Sequence, residues 1–390
     1  MIVTAPAALE QGIKEEARRL GFDLVGITTA DPAETGDRYQ EWVEAGRAGE
    51  MDYMTRDPVK RRDPFVLMPG ARSIVVVGIN YDTGEMESLQ ADEEQSGGPR
   101  GRIARYALGD DYHEVIRVRL YALLQWIRVR AGEAVRGKAY VDTGPLLERD
   151  LARRAGLGWF GKNTNLLNVR RGSYFFLGAL LLDLPLSPDE PFGGEHCGTC
   201  TRCLDACPTG AFLSPYVLDA RLCISYLTIE LKGAIPRELR PLMGDWIYGC
   251  DICQEVCPWN RKAPRASEPA FRSRSGLTLP ELIPLLSMTQ EEFSVRFKGS
   301  PIKRAKRRGL LRNVAVALGN SGDRAAVPAL AAALHDPEPL VRTHAAWALG
   351  RLGGDKARDA LASALRTEDD PMAREELTLA LQDVNGPGEE

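Results

Sequence analysis

All eight cysteines of this 390-residue chain lie between positions 197 and 257. They form a Cys-x2-Cys-x2-Cys-x3-Cys-Pro run, one isolated cysteine, and a Cys-x2-Cys-x3-Cys-Pro run: Cys197, Cys200, Cys203 and Cys207, then Cys223, then Cys250, Cys253 and Cys257. The first run has the bacterial ferredoxin spacing, in which the fourth cysteine, before proline, binds the other of two clusters. The spacing therefore predicts two 4Fe-4S clusters that use every thiol of the chain.

The exchange of ligands between the two runs predicts which cysteines share a cluster. The first cluster is expected on Cys197, Cys200, Cys203 and Cys257, and the second cluster on Cys207, Cys223, Cys250 and Cys253. Cys223 replaces the first cysteine of an ordinary second run, and residues 224–249 separate it from Cys250. This insertion contains Tyr226 and Trp246, whose side chains can reach a neighbouring site.

Other cysteine chemistries fit less well. Structural zinc also uses Cys-x2-Cys pairs, but two zinc sites do not require the longer run that ends in proline. A disulfide framework needs an oxidising compartment, and residues 1–16 lack the charged and apolar regions of a secretory signal. The apolar runs 74–79 and 174–184 are shorter than a membrane span. We therefore expect a cytoplasmic redox protein without a membrane segment.

Length and a hydrophobic content of 44% predict two or three domains. Helices and strands alternate in the first domain, residues 1–185, and the polar segment 84–102 is predicted to be a surface loop. The predicted elements are helices over 7–20, 112–129 and 146–154 and strands over 24–27, 74–79 and 139–142. A cluster domain over 186–262 follows, which needs little regular structure because metal ligation supplies folding energy.

Residues 263–390 are predicted to contain a linker and helical repeats. The segment Leu310–Gly319 recurs at Val341–Gly350 and, in part, at Ala373–Leu381, with a further helix expected over Ala325–Leu334. Such helix pairs bury their alanine and leucine faces only by stacking on one another. The pattern is similar to short HEAT repeats.

A basic stretch lies where the repeats begin. Between positions 293 and 312 there is no acidic residue, although the net charge of the whole chain is −4. The basic side chains are those of Arg296, Lys298, Lys303, Arg304, Lys306, Arg307, Arg308 and Arg312. The stretch indicates either a solvated helix face or a surface that contacts phosphates.

The segment 156–163 satisfies Gly-x-Gly-x-x-Gly, but it follows a predicted helix where a dinucleotide-binding fingerprint must follow a strand. Its glycines either let the backbone approach a large flat ligand or form a tight turn. Asp142 has two interpretations as well. At the end of an apolar strand its carboxylate can point into a pocket, and before Pro145 it can equally cap a helix.

Five segments together resemble the epoxyqueuosine reductase family, in its longer form with C-terminal HEAT repeats. They are Arg105-Tyr-Ala-Leu-Gly-Asp-Asp-Tyr-His113, Val141-Asp-Thr-Gly-Pro-Leu-Leu-Glu-Arg149, Gly158-Trp-Phe-Gly-Lys-Asn-Thr164, Cys223-Ile-Ser-Tyr-Leu-Thr-Ile-Glu230 and Tyr248-Gly-Cys-Asp-Ile-Cys-Gln-Glu-Val-Cys-Pro-Trp-Asn260. The resemblance implies an α+β protein with three parts: an N-terminal α/β cobalamin-binding domain, a ferredoxin-like two-cluster domain and C-terminal HEAT-like repeats.

The resemblance also implies a function and its residues. It implies cobalamin as a cofactor beside the two 4Fe-4S clusters, and reduction of epoxyqueuosine to queuosine at the wobble position of tRNA. Asp142 is then the expected general acid, and the expected cobalamin contacts are Asp142, Asn163, Ser225 and Asp251. The basic stretch would contact the anticodon arm through Lys303, Arg304, Lys306, Arg307 and Arg308. An external electron donor and a monomeric protein are expected.

Two other functions remain compatible with the residues alone. A ferredoxin-type electron carrier would need the clusters and could dock to partners through the repeats, but it has no need of the large N-terminal domain. A reductive dehalogenase-like enzyme would share the cobalamin and the clusters, but it has no use for the basic stretch at 293–312.

Overall fold

The computed structural model describes residues 6–85 and 97–385, so most of the predicted loop 84–102 lies outside the described residues. The strands are β1 Leu24–Thr29, β2 Ser73–Asn80, β3 Arg102–Ile103, β4 Gly137–Tyr140, β5 Trp159–Phe160, β6 Leu166–Leu167, β7 Phe175–Leu182, β8 Phe212–Ser214, β9 Val217–Leu218 and β10 Trp246–Tyr248. The α-helices are α1 Pro6–Arg19, α2 Gly36–Glu44, α3 Asp52–Thr55, α4 Pro58–Arg62, α5 Pro64–Leu67, α6 Tyr112–Ala131, α7 Glu148–Arg154, α8 Arg202–Asp205, α9 Ile224–Ile229, α10 Ile252–Glu255, α11 Leu282–Leu286, α12 Gln290–Arg296, α13 Lys306–Ser321, α14 Val327–Ala333, α15 Pro339–Leu352, α16 Asp355–Leu365 and α17 Pro371–Asn385.

The chain forms two compact units. The first unit comprises residues 1–84, 110–220 and 252–272, and the second unit comprises residues 85–109, 221–251 and 273–390. The predicted cluster segment, 186–262, is therefore divided between the two units. The predicted division into residues 1–185, 186–262 and 263–390 stays a prediction.

A four-stranded sheet organises the first unit. Its strand order is β1-β2-β7-β4, and all three pairings are antiparallel. Strand β2 is buried along its whole length because it lies inside the sheet, between β1 and β7, and consists mainly of Val and Ile. Helices α6 and α7 both pack on β7. The alternation of helices and strands was predicted correctly, and the antiparallel pairing agrees with the α+β class.

Stacked helices form the C-terminal part of the second unit. Helices α13, α15 and α17 pack side by side, and α14 and α16 pack against α15 and α17. Gly319 of α13 lies close to the backbone of Ala348, and a Cβ added to Gly319 would be 2.9 Å from the Cα of Ala348. A Cβ added to Gly350, at the same position of the next copy, would lie 3.0 Å from the Cα of Ala380. The repeated glycine therefore permits the close helix crossings, and the predicted repeats are confirmed.

Two buried polar residues of α13 attach the insertion 224–249 to the repeats. Arg312 is fully buried and donates to the carbonyl oxygens of Leu231 and Gly233, each at 2.8 Å. Asn313 donates to the carbonyl oxygens of Thr228 and Ile247, also at 2.8 Å. These bonds give a physical reason why residues 221–251 belong to the second unit. No helix in the described part of the chain is long and apolar enough to cross a membrane.

Candidate active site and metal centres

Asp142 lies in the loop after β4, with a left-handed backbone conformation (φ 53°) that is uncommon for residues other than glycine. Its side chain is 62% exposed. The Tyr112 hydroxyl donates to Oδ2 of Asp142 at 2.8 Å, and Nε2 of His113 lies 3.4 Å from the same oxygen. The first turn of α6 thus holds the carboxylate that the family resemblance implies as the acid.

His113 lies between two carboxylates. Its Nδ1 is 2.7 Å from Oδ1 of Asp111, which also caps α6, and its Nε2 faces Asp142. Burial alone would lower the pKa of His113. The hydrogen bonds and negative charges of Asp111 and Asp142 outweigh burial and raise this pKa to about 9. The imidazole is therefore protonated at neutral pH, beside the exposed carboxylate.

Glu148 connects the Asp142 loop to α7. Its Oε1 accepts a hydrogen bond of 2.8 Å from the backbone N–H of Asp142. Burial and the negative charge of Asp142 raise the pKa of the Glu148 carboxyl to about 8. Helix α7 begins at Glu148 behind Leu147, and no side chain caps it. The interpretation of Asp142 as a helix cap is therefore wrong, because the predicted helix begins later than Pro145.

Arg149 links this loop to the hairpin β5–β6 and to Cys253. Its guanidinium donates to the carbonyl oxygen of Thr164 at 2.9 Å. The negative charges of Asp142, Glu148 and Cys253 stabilise the positive charge of this guanidinium. In the same hairpin, Asn163 donates to the Cys253 carbonyl oxygen at 3.4 Å and is 4% exposed. The predicted acid, Asn163 and one predicted ligand of the second cluster therefore belong to one continuous part of the first unit.

Tyr112, His113, Glu148 and Arg149 were quoted in the motifs but were given no role there. Their position could have identified them, because all four lie at the start of a helix. Tyr112 and His113 open α6, and Glu148 and Arg149 open α7. Side chains in a first helical turn can point at a ligand near the helix end, where backbone N–H groups are also free.

The first cluster's four predicted ligands come together in the first unit. Burial, together with the negative charges of Cys257, Cys197 and Cys200, raises the pKa of the Cys203 thiol to about 11. Thiols that raise one another's pKa in this way are close neighbours, and the positive charge of iron would offset their repulsion. Among the described residues, no group of three or more His, Cys, Asp or Glu side chains is placed to hold a metal ion.

A buried polar atom next to these cysteines has no partner. The Trp159 side chain is 1% exposed and packs in one cluster with Cys257 and Cys197, and its indole Nε1 makes no hydrogen bond. Buried N–H groups without a partner are rare in folded proteins. A sulfur-rich cluster at this place would provide an acceptor, so the residues present fit a 4Fe-4S group.

The second cluster's predicted ligands are divided between the units. Cys207 and Cys253 belong to the first unit, and Cys223 and Cys250 to the second. In the second unit Cys223 precedes α9 and Cys250 follows β10, and these two elements pack together. None of these eight cysteines, all of which the structure describes, forms a disulfide. This ligand set stays a prediction.

Two predicted cobalamin contacts, Ser225 and Asp251, lie in the second unit. Ser225 is half-buried in the first turn of α9. Asp251 is 2% exposed, and its carboxylate accepts from the backbone N–H of Arg105 at 2.8 Å and from the guanidinium of the same residue at 3.2 Å. A cofactor contact of Asp251 would therefore be made beside an existing ion pair.

The loop around Asp142 offers polar groups of the kind that cobalamin amides bind. Asp142 and Arg149 are exposed, and the Tyr140 hydroxyl is buried without a hydrogen-bond partner. These residues fit the cofactor that the family resemblance implies, and the contacts themselves stay predictions.

The glycine motif 156–161 forms a tight structural turn. Strand β5 pairs with β6 in an antiparallel hairpin. A Cβ on Gly158 would lie 2.0 Å from the carbonyl oxygen of Leu167, so this glycine permits a close approach of two backbone segments. Whether the glycines of this segment also let the backbone approach a flat ligand stays a prediction.

The basic stretch contains both available and committed side chains. Lys303 and Lys306 are exposed, Arg308 is half-buried, and none of these three has an ion-pair partner among the described residues. Arg304 pairs with Glu230 at 2.8 Å, and Arg307 pairs with Asp336 at 3.1 Å. Arg312 is a core residue, so its inclusion in a surface stretch was wrong.

Three family models match parts of the chain. Residues 61–143 match the family model of the epoxyqueuosine reductase QueG, residues 196–260 that of a 4Fe-4S double cluster binding domain, and residues 303–382 that of HEAT repeats. Epoxyqueuosine reductase from Pseudomonas aeruginosa is 48% identical, over 89% of this chain and 96% of its own length. The Escherichia coli enzyme is 45% identical, over 88% of this chain and 89% of its own length.

Solved structures match over nearly the whole chain. An epoxyqueuosine reductase bound to an epoxyqueuosine-modified stem loop of tyrosine tRNA is 34% identical, with a TM-score of 0.89 over 98% of this chain and 100% of that one. The Bacillus subtilis enzyme, with its catalytic aspartate loop swung out of the active site, is 33% identical. Its TM-score is 0.88, over 97% of this chain and 100% of that one. The chain belongs to the epoxyqueuosine reductase family.

Proposed function

We propose that Asp142 protonates the departing epoxide oxygen in the reaction of this family, the reduction of epoxyqueuosine in tRNA to queuosine. The observation that carries this proposal is the exposed Asp142 carboxylate, held by Tyr112 at 2.8 Å and faced by His113 at 3.4 Å. The catalytic aspartate loop of the Bacillus subtilis enzyme supports it as well. General acid catalysis requires a proton donor within hydrogen-bond reach of the leaving atom.

The balance of the reaction shows what the protein must provide. Two C–O bonds of the epoxide break, one C=C bond forms, and the oxygen leaves as water after taking up two electrons and two protons. When bound, cobalamin and the two 4Fe-4S clusters, which are the family's cofactors, supply the electrons. The chain's own side chains must supply both protons and position the ring.

His113 is the proposed source of further protons for Asp142. It is protonated at neutral pH because its pKa is raised to about 9, and it faces the oxygen that would accept the proton. Asp111, on the other side of the ring, fixes the imidazole and stabilises its positive charge. Tyr112 keeps the Asp142 carboxylate in place. Hydrogen bonds thus join Asp111 to His113 and Tyr112 to Asp142, and an ion pair of 3.4 Å joins His113 to Asp142.

The substrate is a tRNA, and we propose that its anticodon arm contacts the start of the repeats. Lys303, Lys306 and Arg308 are the best candidates for phosphate contacts, because they have no ion-pair partner within residues 6–85 and 97–385. Arg304 and Arg307 would contact phosphates only beside Glu230 and Asp336. The modified base must leave the anticodon stack to reach the groups that react with it.

An external donor is proposed to deliver electrons singly, because each 4Fe-4S cluster passes one electron at a time whereas the reaction needs two. We also propose that the protein acts as a monomer in the cytoplasm. Size-exclusion chromatography with light scattering tests the monomer, and a fluorescent fusion tests the location.

Replacement of Asp142 by Asn tests the central proposal. Asp142→Asn keeps the shape of the side chain but removes its acidic proton, so single-turnover formation of queuosine should fall about 10²- to 10⁴-fold. Iron, cobalt and tRNA affinity should not change. Asp355→Asn, an equally small change at an exposed carboxylate in α16, is the matched control. A parent-like rate in Asp142→Asn would refute the assignment of the acid.

A further inference from the structure

We propose that Glu148 is a positioning residue that holds the Asp142 loop in its reactive conformation. This inference rests on the proposed role of Asp142. The proposal is based on the hydrogen bond of 2.8 Å from the Asp142 backbone N–H to Oε1 of Glu148. Glu148 reaches Asp142 through the backbone, so its predicted action does not require contact with substrate.

The backbone of Asp142 needs such support. Its φ of 53° is left-handed, which is unfavourable for a residue with a Cβ unless surrounding contacts maintain it. Glu148 is well placed to provide this contact because it begins α7, which packs on three strands of the central sheet. The hydrogen bond therefore ties a strained, exposed loop to a rigid element.

A relative supports the idea that this loop has two positions. In the Bacillus subtilis structure the catalytic aspartate loop is swung out of the active site. A loop with an inward and an outward position needs an interaction that is made in only one of them. The Glu148 hydrogen bond is a candidate for that interaction in this chain, since it involves the backbone of the predicted acid itself.

The charges around Glu148 give this contact a dependence on pH. Asp142 is the negative group that faces Glu148, and Arg149 and His113 are the positive ones. A neutral Glu148 accepts the Asp142 N–H without repelling its carboxylate. Once Glu148 ionises, two negative side chains are held on one loop, and the outward position of Asp142 becomes more favourable. Activity should therefore fall as pH rises through about 8.

Three variants separate this role from a general structural one. Glu148→Ala removes the acceptor, so the inward loop should be about tenfold less populated, which corresponds to one ordinary hydrogen bond. Glu148→Gln keeps an acceptor oxygen without the charge, so it should restore the rate and abolish the decline near pH 8. Glu41→Ala, an exposed glutamate in α2, is the matched control.

Hydrogen exchange provides a readout that does not depend on turnover. In Glu148→Ala, the Asp142 amide should exchange about tenfold faster, while amides of β2 and β7 keep their protection. In Glu148→Gln it should remain protected. Parent-like exchange and turnover in Glu148→Ala would overturn the inference. If Asp142→Asn is inactive in that case, only the role of Glu148 is refuted and Asp142 remains the proposed acid. If Asp142→Asn is active, the proposed role of Asp142 is refuted as well.

An independent observation concerns Trp159. We infer that its indole N–H donates to a sulfur of the first cluster. The side chain is 1% exposed, packs with Cys257 and Cys197, and has no partner for Nε1. A donor next to an iron-sulfur cluster stabilises the additional negative charge of the reduced state, and such hydrogen bonds help to set cluster potentials.

The test is an EPR-monitored redox titration of the reconstituted protein. Trp159→Phe keeps an aromatic ring but removes the N–H. The potential of the first cluster should fall by about 59 mV, the equivalent of a tenfold change for a one-electron couple. Trp259→Phe is the control, because Trp259 packs in the same group, with its ring centre 5.0 Å from that of Trp159. An unchanged potential in Trp159→Phe, or an equal fall in both variants, would refute the role of this N–H.

Discussion

The Nε2 atom of His113 lies 3.4 Å from Oδ2 of Asp142, while Nδ1 of the same ring lies 2.7 Å from Asp111. A histidine between two carboxylates keeps its proton far above its usual pKa of 6.5. At neutral pH the predicted acid therefore has a cationic neighbour that can replace its proton.

This arrangement predicts the effect of pH on turnover and stability. Activity should decline as His113 loses its proton near pH 9, and His113→Gln should be slower, by roughly 10-fold or more, and should lack this decline. His113 has a raised pKa in the folded protein, so it stabilises the fold fully below about pH 6.5 and loses that effect as pH rises through about 9. Rate profiles and denaturant titrations between pH 6 and pH 10 measure both effects. A parent-like profile in His113→Gln would exclude a proton-transfer role.

The two clusters should respond separately to cysteine replacement. Cys203→Ala removes a predicted ligand of the first cluster and should impair that cluster, whereas Cys223→Ala should spare the first cluster and impair the second. Anaerobically reconstituted parent protein should contain about eight irons per chain, because each cubane holds about four. Iron and sulfide analysis with EPR spectroscopy distinguishes these outcomes. About four irons in the parent would contradict the two-cluster assignment.

The available basic side chains predict a salt-dependent change in tRNA binding. Replacing Lys303, Lys306 and Arg308 together by Glu should weaken binding, because three cationic groups become anionic. Each lost phosphate contact should make the slope of log affinity against log salt shallower by about 0.7 to 0.9. The rate at saturating tRNA should fall less than the affinity.

The matched control for this triple variant changes the same charge elsewhere in the repeats. Lys356, Arg358 and Arg366 are exposed residues of α16 and the turn after it. Replacing these three by Glu should leave the salt slope close to that of the parent. If both triple variants behave alike, the effect is one of net charge, and the basic stretch is a solvated helix face.

Arg312 should matter for stability, because it is the buried arginine that satisfies backbone carbonyls of the insertion. Arg312→Leu would leave the carbonyl oxygens of Leu231 and Gly233 without their donors. We expect a loss of about 3 kcal/mol or more in the free energy of unfolding. Arg308→Leu, a half-buried arginine in the same helix with no ion pair among the described residues, should lose less than about 1 kcal/mol. Equal losses in urea titrations would contradict a specific role of Arg312.

Local patterns account for what was predictable from the sequence. The cysteine spacing predicted the clusters because ligands to one metal group recur at short, regular intervals. The hydrophobic periods predicted α6, β2 and the stacked repeats, since helix and strand faces repeat every few residues. Gly319 and Gly350 lie at close helix crossings, and in the sequence they appear only as a glycine at the same position of two repeats.

Long-range contacts decided the remaining features. The same basic stretch contains exposed Lys303 and fully buried Arg312, because only the packing of residues 227–233 against α13 determines which side faces the core. The sequence alone allowed Asp142 to be a helix cap, and only the structure shows that α7 begins at Glu148 and that Tyr112 and His113 lie beside Asp142. The propensity of a residue for helix or strand depends on its neighbours in sequence. The acidity and charge of its side chain depend on the charges that folding brings within a few ångströms.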